Sequence, residues 1–120
     1  MRFIQKNDAK FRGETHEERV AVLIGRHPSH GASKLQTVAI VELFPGVRSS
    51  AHFHKEREES YFILEGHGKA LIAGQEVMVQ AGDCLFAEPN ETHQFVSEGK
   101  VPLRYLVLTT PAWMPEDSHS

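Results

Sequence analysis

The chain is poor in cysteine, in basic charge and in long apolar runs, and each shortage excludes something. Cys84 is the one cysteine in 120 residues. A lone cysteine makes no internal disulfide, so nothing points to an oxidising compartment. It sits in the apolar run Cys84–Leu85–Phe86–Ala87, where it reads as a small buried hydrophobe. Thirteen Lys and Arg stand against sixteen Asp and Glu, a formal net charge of −3. With no basic surplus, nucleic acid is not an expected partner. No apolar run approaches the ~18–20 residues that a helix needs to cross a bilayer, so no membrane partner is expected either. Met1–Lys10 carries charges with no apolar stretch behind them, unlike a secretory signal. The expected location is cytoplasmic.

Also missing are a long segment of helical period, an internal repeat, a low-complexity tract and a second domain. Short apolar runs punctuated by Gly, Pro and Asn take their place. The expected strands are 19–24, 36–44, 51–54, 60–64, 69–73, 76–79, 83–87, 93–96 and 103–109, several rich in Val, Ile, Phe or Tyr. Phe44–Pro45–Gly46, Gly74–Gln75, Ala81–Gly82–Asp83 and Pro89–Asn90 supply turns between them. Many short strands at close spacing predict an all-β antiparallel sandwich or barrel. Residues 1–17 read as an arm, 18–110 as the barrel and 111–120 as a tail, with Trp113 between two prolines.

Eight histidines are present, and their spacing carries more than their number. His52 and His54 are two apart, so on a strand both rings point to one face while Phe53 points away. Glu59 opens the next strand beyond a charged turn, with Glu58 as the competing carboxylate, and His93 opens another after Pro89–Asn90. Three imidazoles and one carboxylate suit one divalent transition metal: Fe, Mn, Ni, Co, Cu or Zn. His16, His27 and His30 read as loop histidines, His67 as a hairpin residue at the rim, and His119 as part of a loose polar tail.

This pattern resembles the cupin superfamily. Its first motif runs Gly, five residues, His-x-His, three or four residues, Glu, six residues, Gly; Gly46, His52, His54, Glu59 and Gly66 match it. Its second runs Gly, five residues, Pro-x-Gly, two residues, His, three residues, Asn. Gly82 and His93 match, with Glu88, Asn90 and Ser97 in place of Pro, Gly and Asn. Asn tolerates the left-handed conformation that Gly would supply. The resemblance covers about residues 34–110. It implies a small antiparallel jelly-roll β-barrel, a homodimer, and metal ligands at His52, His54, Glu59 and His93.

By strand parity, Arg48 and Ser50 share the face of His52 and His54, Tyr61 and Ile63 that of Glu59, and Phe95 that of His93. Ile63 and Phe95 read as packing. Tyr61 is a candidate proton donor and Arg48 a candidate clamp for an anionic substrate. Trp113 is either a lid over a barrel end or a contact to a partner subunit. Three functions fit. An oxygen-dependent, dioxygenase-like enzyme on a small molecule is favoured. A metal-dependent isomerase, cyclase or ring-opening enzyme on a sugar or keto acid is second. A non-enzymatic small-molecule binding module is third. Fold alone does not separate them.

Overall fold

The computed structural model describes residues 1–13 and 17–120; His16 lies outside them. Nine strands follow in order: β1 (Arg12–Gly13), β2 (Glu18–Ile24), β3 (Thr37–Leu43), β4 (Glu58–Glu65), β5 (His67–Ile72), β6 (Gln75–Gln80), β7 (Cys84–Ala87), β8 (His93–Glu98) and β9 (Leu103–Thr110). They form a six-stranded sheet, β1-β2-β3-β9-β4-β7, and a three-stranded sheet, β6-β5-β8, with antiparallel pairing throughout. This is the all-β antiparallel architecture that the short strands predict, in the jelly-roll form that the family resemblance implies.

Alternation sets the two faces. Along β3, Thr37, Ala39, Val41 and Leu43 are buried and the residues between them are less so; β8 and β9 repeat the pattern. The buried rows of β3, β9 and β4 meet Phe95 of the smaller sheet. Phe95 stacks on Tyr105 with centroids 4.4 Å apart and meets Tyr61 edge-on at 5.0 Å. Aromatic pairs of this geometry add to the burial of apolar area, which supplies most of the core's stability. The β4–β5 hairpin turns at Gly66, whose φ is +82°; a Cβ there would stand 2.5 Å from the Pro102 carbonyl oxygen. Asn90 takes φ +72° in its turn, so the residue in the Gly position of the second motif does what that position requires.

Two expectations fail. Cys84 is exposed rather than buried, because β7 is an edge strand and Cys84 alternates with Leu85 onto the outer face. The expected strand 51–54 is instead an irregular run beside β8, joined by isolated bridges at Arg48↔Val96 and His52↔His93. Between those bridges the register slips by one residue, as at a β-bulge.

Candidate metal centre

That slip shapes the site. It breaks the parity linking Arg48 and Ser50 to His52 and His54. Ser49, not its neighbours, is the buried residue here, and its hydroxyl accepts the Phe95 N–H at 2.8 Å. Arg48 and Ser50 are exposed, and Arg48 does not line the cavity. The anion clamp expected of Arg48 therefore has no place in this geometry.

His52, His54 and His93 do come together. One ring nitrogen from each lies within 4.8 Å of the others, and the ring centroids are 4.3–5.5 Å apart. Two of the rings are held by backbone. His52 Nδ1–H donates to the Ser50 carbonyl at 3.0 Å and His54 Nδ1–H to the Asp117 carbonyl at 2.9 Å. A carbonyl only accepts, so each imidazole, when neutral, carries its hydrogen on Nδ1 and leaves the Nε2 lone pair free.

Glu59 joins them from β4. Its Oε1 lies 3.2 Å from His54 Nε2 and 3.1 Å from His93 Nε2. It is buried, whereas Glu58 is exposed on the opposite face; of the two competing carboxylates, Glu59 faces the imidazoles. Tyr61 donates its hydroxyl to Glu59 Oε1 at 2.7 Å, and Thr109 donates to Oε2 at 2.6 Å. Burial would raise the Glu59 pKa, but the His54 and Thr109 contacts and the neighbouring imidazoles hold it down to about 2. Burial lowers His93 to about 4, and its Nε2 makes no hydrogen bond of good geometry. His54 is pushed down by burial and back up by Glu59 and Asp117, ending above its ordinary value. Burial also raises the Tyr61 phenol well above its ordinary value, with the Glu59 charge adding to it.

Lone pairs and a carboxylate oxygen thus converge on one point with too few protons between them. A cation there resolves the repulsion, and nitrogen and oxygen donors of this kind fit a first-row transition ion. The residues present fit a metal.

The tail, expected to be loose, buttresses this centre. His119 pairs by backbone with Phe53, with N–O distances of 2.8 and 3.0 Å, and its ring stacks on Phe53. Asp117 is buried and accepts from Lys55 N, Glu56 N and Arg57 Nη1 at 2.8–3.1 Å. Burial raises the Asp117 pKa, but these donors hold it down to about 2. Arg57 Nε donates to the Ala112 carbonyl at 2.9 Å. The residues next to the His-x-His pair are tied on both sides to 112–119, as ligand-orienting contacts in metal sites are. Sequence reading missed these partners, because nothing local links residue 117 to 54–57.

The centre lies in the wall of a cavity of about 350 Å³. Val20, Val22, Ala39, Val41, Val107 and Phe95 make its apolar surface. Tyr61 and Tyr105 also line it, and so does Trp113, which is 43% exposed and bonded through its backbone N–H to Thr37 Oγ1. Trp113 therefore borders the cavity. Glu18 lines it too, a residue that sequence reading passed over; its alternation with Val20 and Val22 along β2 was the available signal. Among the other histidines, His27, His30 and His67 are remote from this set, with His27 and His30 paired to each other at 5.8 Å.

Comparison with known proteins agrees with the geometry. The family model described as "Cupin domain" matches residues 39–109. An oxalate-binding protein of Thermotoga maritima is 30% identical over 100 residues, spanning 83% of this chain and 81% of that protein. KdgF from Halomonas sp. superposes with a TM-score of 0.81 at 12% identity, covering 94% of this chain and 96% of its own. A cupin sugar phosphate isomerase from Silicibacter pomeroyi gives 0.75 at 23% identity, over 91% and 75%. At such identities the structural likeness speaks for the fold alone.

Proposed function

Because the chain belongs to the cupin family, we propose that it holds one divalent transition metal on His52, His54, His93 and Glu59 and acts as an enzyme on a small molecule in the adjoining cavity. The observation that carries this is the convergence of three imidazoles and one hydrogen-bonded carboxylate on one buried point beside that cavity. A bound ion would supply an electrophile with coordination positions left for substrate.

The chain's own residues set the conditions. Tyr61 and Thr109 fix both oxygens of Glu59. Its phenol hydrogen being committed to Glu59, Tyr61 acts as a positioning group. The valines, Ala39 and Phe95 exclude water from the substrate's flank.

Among metal-dependent reactions, oxygen-dependent, dioxygenase-like oxidation is favoured over isomerisation or ring opening of a sugar or keto acid. The supporting observation is that Val20, Val22, Ala39, Val41, Val107 and Phe95 give the cavity an apolar flank and that, among the described residues, its lining carries no Lys or Arg. A multiply charged acid would leave the charges not held by the metal unpaired there, which costs several kcal/mol. The test is oxygen uptake by the iron-loaded protein with a panel of catechols, flavonols, thiols and keto acids. Uptake with one of them supports the reading. Turnover of a sugar acid without oxygen, and no uptake with any candidate, reverses it.

A further inference from the structure

Among the described residues, two carboxyl groups line the cavity, and they are not equivalent. Glu59 is fully engaged, by Tyr61, Thr109 and the imidazoles. Glu18 lines the same cavity, half-buried at the start of β2, and has no hydrogen bond or ion pair among the described residues. Burial raises its pKa, opposed by His52. Val20, Val22, Ala39, Val41 and Val107 line the same cavity.

Among the described residues no Lys or Arg lines the cavity, and four arginines are engaged or exposed elsewhere. Arg19 and Arg104 lie over the Phe11 ring on the outer face, each near Glu42. Arg48 is exposed beside Val96. Arg57 is buried but committed to Asp117 and the Ala112 carbonyl. An anionic group placed beside Glu18 would meet it with no Lys or Arg counter-ion among the described residues lining the cavity. Two like charges in a partly desolvated site repel, whereas an amine or hydroxyl finds an unused acceptor.

We propose that Glu18 selects the substrate by charge: the cavity takes a small molecule that presents to Glu18 a hydrogen-bond donor, an amine or a hydroxyl, and no negative charge. This rests on the metal reading only for where the substrate's other end is held.

The test uses three catechols with one head group and different tails: dopamine, 4-ethylcatechol and 3,4-dihydroxyphenylacetate. They are titrated calorimetrically into the full-length protein loaded with zinc, which does not oxidise them. Dopamine should bind at least about tenfold tighter than the carboxylate, about 1.4 kcal/mol, with the neutral tail between them. Glu18→Gln should collapse that spread while leaving zinc content at the parent value. Equal or tighter binding of 3,4-dihydroxyphenylacetate overturns the proposal, as does an unchanged preference in Glu18→Gln or the absence of binding by all three. If the parent protein takes up no zinc, the metal reading fails by itself. The same titrations into metal-free protein then decide the Glu18 preference, by the same criteria.

Discussion

His93 is buried, its Nε2 lacks a well-formed hydrogen bond, and its pKa is lowered to about 4 by that burial. In the unfolded chain it titrates near 6.5. A depressed folded pKa contributes stability that is present above 6.5 and lost as pH falls toward 4. For His93 alone the metal-free protein should lose about 2 kcal/mol between pH 7 and pH 5. His54 is shifted the other way, so its contribution is present at low pH and lost on the alkaline side, and it reduces the net slope. Glu59 and Asp117, both held near 2, lose their contributions only at more acid pH. Urea unfolding of metal-free parent and His93→Gln at both pH values checks this; an equal acid loss in the variant would contradict it. The two adjacent glutamates give a sharper contrast. Glu59→Gln should weaken metal binding by on the order of tenfold or more, whereas Glu58→Gln, on the exposed face, should leave it unchanged in a competition titration. Its place at the start of the 60–64 strand and its six-residue interval to Gly66 favoured Glu59 from sequence. The placement of Arg48 was not legible, because a one-residue slip between 48 and 52 leaves no mark in the amino-acid pattern.

At the scale of elements, β2 to β9 were readable because each carries its own alternation and is bounded by turn residues. The run 46–54 is different. Its hydrogen bonds to β8 are irregular, and it owes its shape to the partner strand rather than to its own propensity. The tail was illegible for a similar reason: Asp117 with 55–57 and His119 with Phe53 are pairings across sixty residues or more. Their consequence is testable. Asp117→Asn removes charge from a carboxylate that organises three donors around the His54 loop. Metal affinity should fall about 10–100-fold, the range for outer-shell contacts, with the folded state retained by circular dichroism. Unchanged affinity would mean that the tail packs on the centre without orienting it.

For the whole molecule, the two sheets bury one face each and leave an apolar outer face on the β9–β4–β7 side, with Phe62 43% and Phe86 50% exposed beside Leu106 and Leu108. Apolar patches of this kind mark association surfaces, and the homodimer implied by the family resemblance would cover it. Light scattering should give a dimer for the parent and a monomer for Phe86→Glu; a monomeric parent would leave the patch without that role. The fold and the convergence of His52, His54, Glu59 and His93 were legible from motif spacing, whereas the cavity's charge character needed three dimensions, since Glu18 and Trp113 lie far from both motifs in sequence. The decisive measurement is elemental analysis of the purified protein after loading with zinc or iron and desalting. About one ion per chain in the parent, and almost none in a folded His52→Ala/His54→Ala variant, is the expected result. The same metal content in both proteins would contradict the site.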